Sequence, residues 1–410
     1  MGTAAVAHPE LAGERLEAAR RASADLVRHT PVLTAASVSR RCGGTVVLKA
    51  ENLQRTGSFK LRGALNKLRT VDPGVKGVVA GSAGNHAQAL AYAARARGLR
   101  CEVYMPADAA VSKIEAVRAF GAEVDQQGGA VDDCVSLARE RAREAGFVFV
   151  HPFDDLDVIA GQAGVGLELL EDVPDLARVV LPVGGGGLAS GVAAAIRQQR
   201  PEVSIVGVQA EACAPYARLV HGDEAGTTSP ARTIADGIAV KQPGEITRPL
   251  LAALLDDVVT VPEDDIAEAM VLLVERSKLV VEGAGAVSLA ALLSGAVAAA
   301  PSGSTVAVLS GGNVDVTLLA AVATRHETRV GRRLRVYTRV TDLPGALAGL
   351  LATVAAESAN LIDVAHVRQG VDLDVRETGI ELTMETRGPE HAARVLRRLA
   401  DAGYEPSDVS

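Results

Sequence analysis

The 410-residue sequence has no tryptophan, and five tyrosines with five phenylalanines bring its aromatic content to only 2%. That scarcity argues against the stacking platforms on which proteins hold single-stranded nucleic acid. No Lys/Arg-rich run stands out. The 42 basic and 50 acidic residues are interspersed, for a net charge of -8, so neither nucleic acid nor an anionic membrane is an expected partner. Cysteines are few, at 42, 101, 134 and 213, with no C-x-x-C pair. This excludes a disulfide scaffold and predicts free thiols in a reducing compartment. The eight histidines include no H-x-x-x-H, so no metal site is expected. No G-x-x-x-x-G-K-[ST] occurs, which excludes an NTPase P-loop. The N-terminus lacks a basic stretch followed by an apolar core, and Val6 stands where a myristoylation signal needs Ser or Thr. A cytoplasmic location is therefore expected. Uninterrupted hydrophobic spans are missing too. Residues 283–314 carry no charge, but glycines, serines and Pro301 break them up. They predict a buried helix (about 284–298), a turn at Pro301–Gly303 and a buried strand (about 305–310) rather than a membrane span.

What is present is a chain with 48% apolar and 22% charged residues, long enough for two or three domains at about 150 residues each. From about residue 45 to 320, short β-branched runs alternate with Ala/Leu/Arg-rich helical stretches. The expected strands are 45–50, 77–81, 101–106, 147–151, 178–184, 204–210, 258–261 and 305–310. The expected helices include Ala87–Arg97, Val131–Glu144, Gly187–Arg200 and Asp264–Lys278. Apolar strands alternating with helices predict an α/β fold with parallel sheets covered on both faces. The irregular spacing suits two open doubly wound sheets, with a ligand at the carboxyl ends of the strands. Near 325 the pattern changes. Residues 323–333 are polar and basic and are expected to form a linker. Strand 334–340, helix 345–358, strands 361–368 and 379–386, and helix 389–403 then give a β-α-β-β-α order, a small ferredoxin-like unit with few residues left for a last strand.

Four motifs carry chemistry. Gly184–Gly187 lie between an apolar strand and a helix starting near Leu188, where consecutive N–H groups can cradle a phosphate. Gly184, Gly186 and Ala189 also fit G-x-G-x-x-A, with Glu211 about 25 residues on, as in a dinucleotide fingerprint. In Thr56-Gly57-Ser58-Phe59-Lys60, Ser58 is expected to cap a helix through Leu61–Leu68. That puts Lys60 in a first turn, where the helix dipole disfavours the ammonium. A neutral lysine can form a Schiff base, whereas the bland alternative is a solvated surface lysine. Ser82-Ala83-Gly84-Asn85-His86 opens another helix and suits a carboxylate, or else supplies an N-cap serine and a satisfied core histidine. Ser310-Gly311-Gly312-Asn313 follows a strand, so the Ser310 hydroxyl can reach a ring nitrogen, or sits in an ordinary polar turn.

SFKLRGA at 58–64, SAGNHAQ at 82–88, the four-glycine turn, EGAGA at 282–286 and SGGN at 310–313 together resemble the threonine/serine dehydratases over about residues 10 to 320. These are pyridoxal-phosphate enzymes of the tryptophan-synthase-β fold group, also called fold type II. The resemblance implies a catalytic region at 1–325, with a small subdomain at about 54–152. It also implies that 326–410 resemble an ACT domain, with Asp342-Leu343-Pro344-Gly345 at the turn that takes an amino-acid effector such as isoleucine or valine. It implies the following roles. Lys60 holds the cofactor covalently and removes the substrate α-proton. Phe59 packs against the ring, and Asn85 bonds its phenolic oxygen. Gly184, Gly185, Gly186, Gly187 and the N–H of Leu188 bind the phosphate. Ser310 faces the ring nitrogen, with Gly237 and Glu282 near the ring. Ser82, Ala83, Gly84, Asn85 and His86 bind the substrate carboxylate. The implied activity converts L-threonine to 2-oxobutanoate and ammonia, with L-serine as a second substrate, in a homo-oligomer.

Three alternatives stay open at this point. Serine racemase shares the motifs but needs an acid–base group on each face of the substrate. Its opposite-face serine is replaced here by Ala83. Related members also bind a divalent cation beside the Gly207–Pro215 stretch, where this chain has Gln209 and Pro215 in place of carboxylates. A nucleotide-dependent oxidoreductase rests on the G-x-G-x-x-A match, and a non-catalytic amino-acid sensor on the C-terminal unit.

Overall fold

The computed structural model describes residues 9–222, 232–368 and 373–410. The chain folds as two compact units, one ending at Asp315 and one starting at Val316.

The first unit holds two sheets. Strands are numbered in chain order. Strands β1 (Val32–Thr34), β2 (Val46–Ala50), β7 (Leu176–Pro182), β8 (Ser204–Ala210), β9 (Asp257–Val261) and β10 (Ser304–Leu309) form a six-stranded sheet in the order β1-β2-β10-β7-β8-β9. Every neighbouring pair is parallel except β1–β2, at the edge. Strands β3 (Val78–Gly81), β4 (Cys101–Pro106), β5 (Glu123–Gly128) and β6 (Val148–Phe149) form a parallel sheet in the order β5-β4-β3-β6. Strands β3 and β10 are buried along their whole length, as continuous apolar runs demand when helices cover both faces. Ile159, Ala163, Leu188, Val192 and Ile196 of helices Leu156–Asp172 and Gly187–Gln199 pack with Val179, Leu181, Val306 and Val308. Each such side chain, fully buried, contributes about 1.5–3 kcal/mol of transfer free energy.

The charge-free stretch is explained by burial. Every residue from Gly283 to Leu292 of helix Gly283–Leu293 is buried, so no face is left for a charge. No helix among the described residues is long and apolar enough to cross a membrane.

One strand conceals an ion network. Lys49 of β2 is fully buried. Its Nζ lies 2.6 Å from Glu168 and 3.3 Å from Asp172 and donates to the Thr30 carbonyl at 2.7 Å. Arg62, on helix Lys60–Thr70, is buried between Glu51 and Glu168 with bidentate bonds to each. The network ties the helix that begins with Lys60 to β2 and to helix Leu156–Asp172.

The second unit is an antiparallel sheet of β11 (Arg333–Thr341), β12 (Asn360–Val367), β13 (Glu377–Glu385) and β14 (Ser407–Asp408), in the order β12-β13-β11-β14. Alternate residues of β11 point inward. They meet Leu350 and Val354 of helix Ala346–Ala356, and Val395 and Leu399 of helix Pro389–Asp401. The last strand has two residues.

Several boundaries differ from the sequence expectation. The linker expected at 323–333 is mostly helix, because Val316–Arg329 is an amphipathic helix that buries Val322 and His326 one turn apart. It belongs to the second unit, so the division falls at Asp315/Val316 rather than near 325. The helix expected at Asp264–Lys278 is α-helical over Glu263–Leu272 and then widens into a π turn over Leu273–Ser277, ending at Lys278 with φ +59°. The helix expected over 284–298 stops at Leu293.

Candidate active site

The carboxyl ends of β3, β7 and β10 open on one cavity of about 1200 Å³. Phe59, Lys60, Ser82 to His86, Gly184 to Leu188, Gly237, Glu282 and Ser310 all border it. Side chains from separated sequence segments thus converge where strand ends of open α/β sheets hold ligands.

Lys60 is the first residue of its helix. Its Nζ donates to the Pro152 carbonyl at 2.7 Å and lies 5.2 Å from the centre of the Phe59 ring. Burial pushes its pKa down to about 8, against the opposing pull of Glu282. Burial, rather than the helix end alone, is what brings this lysine towards neutrality. The capping role expected of Ser58 is absent. The N-cap is Phe59, without a side-chain cap, and the Ser58 hydroxyl is buried without a hydrogen-bond partner among the described residues. The reason lies in the backbone: Ser58 is bridged to Gly311, which turns it towards the β10 end.

The glycine turn is shaped by close approaches. Gly186 has φ +93° and is the N-cap of helix Gly187–Gln199, a conformation that disfavours any side chain. A Cβ at Gly185 would collide with the Phe153 ring. The N–H groups from Gly184 to Leu188 find no acceptor among the described residues. A row of unpaired donors at a helix start is an anion site. Outside the turn, Thr247 Oγ1 donates to the Gly185 carbonyl at 2.7 Å and Tyr216 OH donates to it at 3.0 Å. Asp154 accepts N–H bonds from Glu245, Ile246 and Thr247, which fixes the start of helix Thr247–Leu254 beside the turn. Sequence reasoning did not single out Tyr216, Thr247 or Asp154.

On the other wall, Asn85 Nδ2 donates to Glu282 Oε1 at 2.6 Å, and Asn85 Oδ1 accepts from Asn313 at 2.7 Å. One Nδ2 hydrogen of Asn85 is left for a ligand. Burial, reinforced by Asp236, raises the Glu282 carboxyl to about 7 despite its bond from Asn85. His86 is buried with Nε2 at 2.9 Å from the Val150 carbonyl, and burial lowers its pKa to about 3. It is a neutral imidazole with Nε2 committed to that carbonyl, while its backbone remains at the helix start. Ser82 is not the N-cap of helix Asn85–Ala96. Gly84 is, and the Ser82 hydroxyl accepts the Gly84 N–H at 3.3 Å.

One rival reading loses its residue here. Glu211 is exposed and does not border the cavity, so the acid of a dinucleotide fingerprint is absent from the site. Gln209 is fully buried, and its amide is spent on Val183, Tyr216 and Ala217 at the start of helix Pro215–Val220. Among the described residues no group of three or more His, Cys, Asp or Glu could hold a metal ion.

Residues 24–311 match the family described as pyridoxal-phosphate dependent enzymes. The chain belongs to that family. Its cofactor is pyridoxal phosphate, and its α/β architecture is that of fold type II. The chain is 44% identical over 381 residues to an L-threonine ammonia-lyase of Geobacter sulfurreducens, covering 92% of this chain and 94% of that protein. It is 42% identical over 395 residues to an L-threonine ammonia-lyase of Thermotoga maritima, covering 96% and 98%. Among solved structures, a T.th. threonine deaminase superposes with a TM-score of 0.70 at 41% identity, covering 74% of this chain and 99% of that one. A maize serine racemase gives a TM-score of 0.71 at 34% identity, covering 77% and 98%.

Proposed function

We propose that this protein is an L-threonine ammonia-lyase that dehydrates and deaminates L-threonine to 2-oxobutanoate and ammonia, and accepts L-serine as a second substrate. The observation that carries the reading is that Lys60, brought towards neutrality at about 8, and an unpaired row of N–H groups border the same cavity. Relatives named L-threonine ammonia-lyase match along nearly the whole chain.

The residues present fit pyridoxal phosphate. The turn from Gly184 to Leu188 would hold its phosphate on unpaired N–H groups. Phe59 and Gly237 would flank the ring, Asn85 would donate its free Nδ2 hydrogen to the phenolic oxygen, and Ser310 would face the ring nitrogen. Bound there, the cofactor supplies an electron sink for charge developing at the substrate Cα. Lys60 Nζ would hold the cofactor and, as the free amine, would take the proton from the substrate Cα. Its depressed pKa leaves a useful fraction neutral near physiological pH. Ser82 to His86 would hold the substrate carboxylate at the start of helix Asn85–Ala96. Ala83 borders the cavity without an exchangeable proton, which favours elimination over racemisation.

The unit from Val316 on would act as an ACT-like regulatory layer. Gly345, at φ +94°, N-caps helix Ala346–Ala356 without a side-chain cap and faces open space, so that helix start would take an amino-acid carboxylate. Pairing of this unit with a second copy would give a homo-oligomer, and the enzyme would work in the cytoplasm. Purified protein incubated with L-threonine should form 2-oxobutanoate and ammonia in equal amounts. Conversion of L-serine to D-serine without 2-oxo acid would replace this reading with a racemase.

A further inference from the structure

We propose that Tyr216 and Thr247 are positioning residues for the phosphate-binding turn, and that their hydroxyls set how tightly the phosphate is held. The inference rests on the reading of Gly184 to Leu188 as the phosphate cradle. Tyr216, on helix Pro215–Val220, is 2% exposed, and Thr247, the first residue of helix Thr247–Leu254, is fully buried. Neither makes up the cradle itself. Both reach the Gly185 carbonyl from behind it, Thr247 at 2.7 Å and Tyr216 at 3.0 Å, and their oxygens stand 2.9 Å apart. A carbonyl oxygen has two lone pairs, and each hydroxyl has one proton to give. Tyr216 OH in turn accepts the Gly244 N–H at 3.1 Å, so its own proton is directed towards the turn.

A trans peptide is planar, and its C=O and N–H point in opposite directions. Holding the Gly185 carbonyl outward therefore aims the Gly186 N–H, which has no acceptor among the described residues, into the cavity. Gly186 at φ +93° has no side chain to restrict its neighbouring peptides, so this orientation needs an outside hold. The two hydroxyls supply it from two different helices. Asp154 steadies one of those helices by accepting the N–H groups of Glu245, Ile246 and Thr247.

The test separates phosphate recognition from general integrity. Full-length apoprotein, freed of cofactor, is titrated with pyridoxal 5'-phosphate and, separately, with pyridoxal, which lacks the phosphate. The ratio of the two affinities reports the cradle. Wild-type protein should bind the phosphorylated form far more tightly. Tyr216→Phe and Thr247→Val should each reduce that ratio about tenfold, the effect of losing one well-placed hydrogen bond to a charged-ligand site, while pyridoxal binding stays near the wild-type value. Thr247→Ser, which keeps the hydroxyl, should restore the ratio, and either isosteric variant suffices if the other does not fold. An unchanged ratio in the folded variants overturns the inference. So does an equal loss for both ligands, which would be a general packing defect. If wild-type protein itself does not prefer the phosphorylated form, the cradle reading fails first and this inference with it.

Discussion

Glu168→Gln should be among the most damaging conservative substitutions in the first unit. Glu168 is 4% exposed at its side chain. Its Oε1 accepts from Arg62 Nη1 at 2.7 Å, and its Oε2 accepts from Arg62 Nη2 at 2.9 Å and faces Lys49 Nζ at 2.6 Å. Glutamine keeps the shape but removes the charge between two buried cations. It must also turn an NH2 group against at least one of them. Removing one partner from a buried ion pair costs about 3–5 kcal/mol. The matched control is Glu171→Gln on the same helix. Its partner is Arg20, and its side chain is 53% exposed, so its loss should cost about 0–1 kcal/mol. Urea unfolding followed by circular dichroism compares the two. Glu168→Gln should move the midpoint well below wild type, and Glu171→Gln should barely move it. Equal midpoints for the two variants would refute the claim that the Lys49–Glu168–Arg62 cluster is a dry, mutually dependent network.

Capture of pyridoxal phosphate by the apoprotein requires the free amine of Lys60, whose pKa is held near 8 instead of the ordinary 10.5. The capture rate should rise about tenfold per pH unit below 8 and flatten above it. A rate still climbing at pH 10 would place Lys60 in an ordinary solvated environment. Ala83→Ser adds a hydroxyl to the cavity wall and should raise D-serine formation above wild type while dehydration largely persists. Chiral chromatography finding equal D-serine would remove Ala83 from the substrate's opposite face. A shortened chain ending at Asp315 should keep cofactor and catalysis yet lose any response of its initial rate to isoleucine or valine. A response like that of the intact chain would put the effector site in the first unit.

The repeating strand–helix order was readable because β3, β7, β8 and β10 are mostly buried and each carries a short apolar run, such as Val179–Leu181 in β7 and Ile205–Val208 in β8. Two edge strands, β1 and β5, carry no such signature. β5 reads Glu-Val-Asp-Gln-Gln-Gly and is mostly half-exposed, and β1 has only three residues. Helix Val316–Arg329 looked like a linker because two buried residues, Val322 and His326, are a thin signal among so many polar ones. The cavity-lining motifs were legible because glycine runs, a lysine after a polar turn and a strand-end serine are local patterns. Tyr216 and Thr247 were not, since they meet Gly185 from 31 and 62 residues away and belong to no short motif. Hydroxyls buried against a backbone carbonyl leave no periodicity to read. For His86 the sequence left two readings open, and the structure fits the core histidine, neutral and bonded to the Val150 carbonyl.

Lys60 should carry the cofactor in the cavity that the Gly184–Leu188 turn also borders. Borohydride reduction of the full-length protein with pyridoxal phosphate bound, followed by protease digestion and mass spectrometry, tests it directly. One peptide should carry the reduced cofactor, with the modification on Lys60, and no peptide of a Lys60→Ala protein treated in the same way should carry it. Attachment to a different lysine, or stoichiometric labelling that survives Lys60→Ala, would contradict it.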